Sequence, residues 1–380
     1  MRFLLFAVWL LSTAACLDPR GAGTIATRAD SAPGDISDSA FAALVGRLSE
    51  PGGYFDTDNL ISNETSYLHV MGKLQKLGVS GGAYIGVGPD QNFSYMAQVR
   101  PSIAFIIDIR RDNLLQQLMF KSLFELSDSR IEYLCLLFAR PVPGDAAAWE
   151  ARGIQDLVDY IDSTAASPKA LEITNRVARR AMGFSASLSE VDLETIRSFH
   201  MAFVRDGMGL RFRSHGRMPR PYYPTYRQLL LETDLDGNQA GYLASEEGFR
   251  TLKSLQDSNR VIPVVGDLGG DHALAAIGEL IGERGEYVSA FYTSNVEFYL
   301  MRGVSFNRYV ANVQQLPIQP NSVIIRSYFG RNFGYAHPRA IPGYYSVQLL
   351  QTIESFVGDA QTGGYRSYLD LVTRNAIELN

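Results

Sequence analysis

Between the breaker Arg100-Pro101 and the basic pair Arg110-Arg111 lies the run Ile103-Ala-Phe-Ile-Ile-Asp108-Ile109. It is too short for a buried helix and lacks the two-residue alternation of a strand with one wet face. Such runs fit a strand covered on both sides, as in a parallel sheet. Similar short apolar runs recur at 83–87, 261–265, 287–292 and 322–329. Between and after them, helical spacing marks 113–126, 130–138, 271–281, 296–301 and 306–313, and 345–356 and 365–374 read as closing helices. This alternation predicts an α/β fold, with a Rossmann-like, mostly parallel sheet covered on both faces.

One stretch departs from the alternation. Residues 145–204 carry helical stripes (Trp149, Ile154, Leu157, Val158, Ile161, then Leu171, Ile173, Val177, Met182) and no strand-like run. They read as a helical insertion after the second strand, placed to cap a site. Upstream, 38–49 and 63–77 have helical spacing, and Ser245 is set to cap a helix over 246–255 with acids in its first turn. With 46% hydrophobic residues, 380 positions support one large domain over 38–380.

The N-terminus has a different logic. Arg2, the apolar run 3–11 and Ala14-Ala15 before Cys16 follow the layout of a bacterial signal peptide. Cys16 stands where a lipobox cysteine is lipidated, although Thr13 occupies a position where such signals usually carry Leu. Residues 17–37, rich in Ala, Gly, Asp and Ser, read as a flexible tether. The expectation is an exported envelope lipoprotein touching the membrane only through its lipid anchor. The alternative is a cytoplasmic chain with a misassigned start.

Other features narrow the function classes. A net charge of −5 gives no broad footprint for nucleic acid, so no nucleic-acid partner is expected. The local cluster Arg211, Arg213, Arg217 and Arg220, interleaved with Pro219, Pro221 and Pro224, reads as a solvated loop or an anion-binding lid. Two cysteines exclude a disulfide framework, and Cys135 sits in an apolar run as a small hydrophobe. The five histidines lack metal-ligand spacing, so no metal is expected. Asp234-Leu-Asp236-Gly-Asn238 fails as a calcium loop, with Gln239 and Ser245 at the sixth and twelfth positions, and reads as a turn.

The candidate chemistry sits at strand ends. Tyr84-Ile-Gly86-Val-Gly88-Pro-Asp90 is a glycine turn from strand to helix, where backbone can approach a ligand closely. Asp108 follows about 20 residues later, where a carboxylate can take both hydroxyls of a ribose, or else pair with Arg110 or Arg111. A third strand ends in Gly266-Asp267 and a fourth in Tyr292-Thr-Ser294-Asn295. Ligands of doubly wound sheets bind at such carboxyl ends, though turns favour the same residue types.

This order of elements resembles class I S-adenosylmethionine-dependent methyltransferases. More narrowly, NETSYLHV (63–70), GVGPDQNFSYMA (86–97), IDIRRDN (107–113) and FYTSNVEFYL (291–300) look like a bacterial family of that fold with no assigned activity. The resemblance implies a methyltransferase-like domain with S-adenosylmethionine as cofactor. Gly86 and Gly88 would lie under its methionine and ribose, Asp108 would hold the ribose hydroxyls, and Asp267 after Gly266 would face the adenine amino group. Ser294 and Asn295 would orient an acceptor, and methyl transfer would rest on proximity and alignment. Asn63 and Glu64 would close over the pocket or simply cap a helix.

Two positions depart from the pattern. Tyr84 stands where methyltransferases usually carry an acid, and Asp90 stands at the third glycine position, where it could engage the cofactor's ammonium. An exported protein would also not meet the cytoplasmic methyl donor. A non-catalytic, envelope-anchored domain binding a small nucleoside-type ligand or a protein is therefore the alternative. A hydride-transfer enzyme using a nicotinamide cofactor is a third reading.

Overall fold

A computed structural model describes residues 35–379 apart from 186, 219 and 331–333. The export segment with Cys16, and the tether as far as residue 34, lie outside the described residues. Residues 35–37, at the end of the expected tether, are anchored to the domain. The Ile36 amide donates to the Ser258 carbonyl (3.2 Å), and Asn259 Nδ2 donates to the Ile36 carbonyl (2.7 Å).

Strands β1 (Ala83–Gly86), β2 (Ile103–Asp108), β3 (Val261–Val265), β4 (Val288–Ser294), β5 (Ile318–Tyr328) and β6 (Val347–Thr352) form one sheet in the order β3-β2-β1-β4-β5-β6. The first five run parallel, and β6 pairs antiparallel with β5. Strands β1 to β4 are buried almost end to end, which is why they read as unbroken apolar runs. Helices Gln91–Val99, Arg111–Glu125 and Glu246–Asp257 pack together on one side. Asp38–Leu48, Ala273–Glu283, Ser305–Gln314 and Ile353–Gln361 form a second contiguous layer. The chain is thus an α/β protein with a Rossmann-like, mostly parallel sheet.

The insertion falls between β2 and β3, as expected, and contributes no strand to the sheet among the described residues. Its helices Ala170–Met182 and Glu190–Asp206 pack on helix Arg111–Glu125, which is consequently covered nearly all round and buries Gln116, Gln117 and Lys121. The Lys121 ammonium donates to the Gln256 carbonyl, pairs with Glu125 (3.0 Å) and lies 4.4 Å from the centre of the Phe184 ring. Arg130 ties the start of the insertion to the helix before β3, donating to the carbonyls of Leu243, Ala244, Glu150 and Arg152 and to Glu246. Ser245 caps helix Glu246–Asp257 through the Gly248 amide (3.0 Å), and Asp234 closes its turn by accepting from the Asp236 and Asn238 amides.

Two expectations are corrected. Residues 345–352 do not open a helix: Val347–Thr352 is β6, and the helix begins at Ile353. The spacing of Leu349, Leu350, Ile353 and Phe356 is helical, but β5 offers an open ladder that this segment completes, and pairing overrides local spacing. Likewise only Met71–Lys76 is regular helix within 63–77. The preceding residues are held instead by side-chain bonds at the strand ends described next.

Candidate functional site

The strand order reverses between β1 and β4, and ligands of doubly wound sheets bind at such a point, outside the carboxyl ends of the strands. Gly86 to Gly88 and Tyr292 to Asn295 flank it. Asp108 ends β2, and Gly266-Asp267 follows β3. All the candidates at strand ends therefore share one edge, spread over three strand spacings, about 14 Å.

Within that edge each candidate has its own partners. A Cβ on Gly86 would collide with Asn92 Oδ1 and come within 2.8 Å of the Tyr84 ring. Tyr84 donates to Asn92 Oδ1 (2.8 Å), and Asn92 Nδ2 donates to the Val87 and Pro89 carbonyls (2.9 and 2.7 Å). Tyr84, standing in place of an acid, is therefore part of the turn's internal scaffold. Gly88 adopts φ +85°, which a side chain would strain. Gly266 is required because a Cβ there would collide with Ala273 at the head of the following helix. Asp108 is gripped by its neighbour: Oδ1 accepts from the Arg110 amide (2.9 Å) and Nε (3.0 Å), and Oδ2 from the guanidinium fork (2.8 Å). Asp267 Oδ1 accepts from the Gly269 amide (2.9 Å).

Asp90 points into the insertion side. Its Oδ2 accepts from Tyr226 (2.6 Å) and Tyr242 (3.3 Å), and Tyr242 in turn reaches Tyr133. Burial pushes this carboxyl up to about 6, against the pull of the two phenols. Its folded-state titration lies above the unfolded value near 3.9, so its contribution is fully present below pH 3.9 and is lost as pH rises through 6. Asp90→Asn keeps an acceptor for the phenols and removes the charge. Its stability relative to the native protein should rise by about 3 kcal/mol between pH 4 and pH 8. Urea unfolding of both proteins across that range checks this; a pH-independent difference contradicts it.

A strap from Ser49 to Glu64, whose residues 50–62 sequence reasoning left without an element, crosses the same edge. Ser49 Oγ accepts from the Val265 amide, and Glu50 Oε1 accepts from the Asp267 amide (2.7 Å), both at β3. The Gly53 amide donates to the Ile109 carbonyl (2.7 Å), and Arg110 donates to the carbonyls of Thr57 and Asp58, beside β2. Gln116 holds the Leu60 carbonyl (2.6 Å). The strap ends at Glu64, which is fully buried at β4 and β5 and accepts from Ser294 Oγ (2.5 Å) and Ser327 Oγ. Burial raises the Glu64 carboxyl, with Ser294, Ser327 and Tyr292 pulling it back. Ser294 adopts φ +52°, an uncommon conformation for serine, of the kind that clusters at functional sites. Asn295 bonds to Tyr299. The arginine-rich loop rests on the strap: Arg217 pairs with Asp56 (2.9 Å), and the Arg213 amide donates to Asp58 (3.2 Å).

Around Gly88 the hydrogen-bond inventory does not close. Asn113 Nδ2 and Gln117 Nε2 both donate to the Gly88 carbonyl (2.9 and 3.1 Å), and Gln91 Nε2 donates to the Tyr292 hydroxyl (3.1 Å). The oxygens of these three amides are buried and have no partner, as does Thr57 Oγ on the strap. Each such acceptor costs about 1–3 kcal/mol if left unmade. Asn113 and Gln117 are one helical turn apart, a spacing visible in sequence but easily read as a wet face.

No curated protein matches this sequence. A family model matches residues 60–154 and 212–378, taking in all six strands and passing over helices Ala170–Met182 and Glu190–Asp206 of the insertion. The chain belongs to the family that this model describes, Domain of unknown function (DUF7790).

Proposed function

We propose that the domain binds a small nucleoside-type ligand, with S-adenosylmethionine the first candidate, in the crevice between the carboxyl ends of β1 and β4. The observation that carries this reading is the reversal of strand order at that point, with Gly86 to Gly88 on one lip and Tyr292 to Asn295 on the other. Binding without catalysis is the primary reading, because Asp108, the group a methyltransferase would set against the ribose, is already paired through both oxygens with Arg110. In this reading the segment ending at Cys16 serves to hold the binding domain at a membrane surface.

Methyl transfer is the second reading, favoured by the strained Ser294 and its bond to the buried Glu64. These two would orient an acceptor, and the in-line displacement would depend on alignment. Calorimetry and thermal unfolding of the full chain with S-adenosylmethionine and adenosine test the first reading. A ligand at one hundred times its Kd should stabilise the fold by about 2.7 kcal/mol. No heat and no thermal shift with either compound at millimolar concentration overturns it. Turnover to S-adenosylhomocysteine with an added acceptor would establish the second reading over the first.

A further inference from the structure

We propose that the sugar hydroxyls of the ligand are read by three neutral amide oxygens, Gln91 Oε1, Asn113 Oδ1 and Gln117 Oε1, and not by the Asp108 carboxylate. This rests on the nucleoside-type reading above and adds to it the group that recognises the sugar.

Asp108 is committed, with both carboxylate oxygens taken by Arg110. The three amides are at least nine-tenths buried and their oxygens lack partners. Their orientation is set by chemistry. The Gly88 carbonyl can only accept, so Asn113 and Gln117 must turn their nitrogens toward it and their oxygens away. Gln91 presents its nitrogen to the Tyr292 hydroxyl, which leaves its oxygen turned away. An amide oxygen lies about 2.3 Å from its nitrogen, given the amide bond lengths. Both helix-borne oxygens are therefore within about 5.5 Å of the Gly88 carbonyl oxygen. Gly88 keeps the space beside them narrow but open: a Cβ there would sit 3.4 Å from Asn59 Nδ2 and 3.5 Å from Gln91 Nε2.

The donor set defines the ligand chemistry. Three neutral acceptors take O–H or N–H groups and offer nothing to an anion. A neutral diol fits, and it fits at the lip of the crevice where a nucleoside presents one.

The test compares adenosine with 2′,3′-dideoxyadenosine on the full chain by calorimetry, so that the protein is unchanged between arms. Dideoxyadenosine should bind at least about tenfold more weakly. Gln117→Met should weaken adenosine to a similar extent and leave dideoxyadenosine unaffected. Its fold should persist, because Asn113 still holds the Gly88 carbonyl, and its melting curve verifies that. Equal affinity for the two nucleosides, or undiminished adenosine binding by Q117M, overturns the assignment while leaving the nucleoside reading intact. So does a crystal structure of the adenosine complex with only ordered water on the three oxygens. Failure of both adenosine and S-adenosylmethionine to bind would remove the nucleoside reading and this inference together.

Discussion

Replacing Glu297 by leucine should lower the unfolding free energy by about 3–5 kcal/mol, the largest loss expected from any single change considered for this domain. Glu297 and Arg326 are fully buried at the carboxyl ends of β4 and β5 and meet in a two-pronged pair (2.6 and 3.1 Å). Arg326 also donates to Gln351 on β6 (2.7 Å), and Tyr309 donates to Glu297 (2.9 Å). The pair and its partners join β5 and β6 to the helices Val296–Leu300 and Ser305–Gln314. Removing one partner leaves a guanidinium buried without its counter-charge, whereas removing both strands no charge and leaves only the Tyr309 hydroxyl and the Gln351 amide oxygen to find new partners. The double variant E297L/R326M should therefore recover most of the loss, as read from urea midpoints. A double variant as unstable as the single one would show that shape, not stranded charge, sets the cost.

On the acid side, His200 should remove about 3 kcal/mol of stability as pH falls from 7 to 4. The ring is buried between insertion helices, with Nε2 donating to the Leu136 carbonyl (3.0 Å) and Nδ1 accepting from Thr174 (2.9 Å). Burial lowers its titration from 6.5 to about 4, against the pull of the Leu136 and Leu137 carbonyls. A base depressed in the folded state contributes stability that is present above its unfolded value and lost as pH falls through the folded one. His69, buried against Tyr344 and also lowered to about 4, acts in the same direction, while Asp90 acts in the opposite one. His200→Gln should flatten the decline between pH 6.5 and pH 4 by about 3 kcal/mol relative to the native chain. An unchanged slope in that window would mean that the imidazole is already protonated in the fold.

The fold class was legible because it depends on local pattern. The runs at 83–87, 103–109 and 261–265 are apolar on both faces, and only a doubly covered parallel sheet buries both. The absence of such runs from 145–204 announced the helical insertion. Segment 345–352 misled for the same reason: its apolar spacing is helical, and only the free edge of β5 makes it a strand.

Local pattern also brought Gly86, Gly88, Asp108, Gly266, Asp267, Ser294 and Asn295 to one edge, since strand ends of a parallel sheet must share a side. What those residues do there is a different kind of fact. Whether Asp108 meets a ligand or Arg110 depends on which neighbour satisfies its lone pairs, and whether Asp90 faces the turn or Tyr226 depends on contacts more than a hundred residues apart in the chain. The strap over 50–62 has no periodicity to announce it, and the spacing of Asn113 and Gln117 along their helix does not say that their oxygens go unpaired. Hydrophobic spacing is a property of neighbours along the chain, so sequence alone determined the parallel strands and the edge where their ends meet. Hydrogen-bond satisfaction is a property of neighbours in space, so only the tertiary structure decided which polar groups on that edge have partners and which do not.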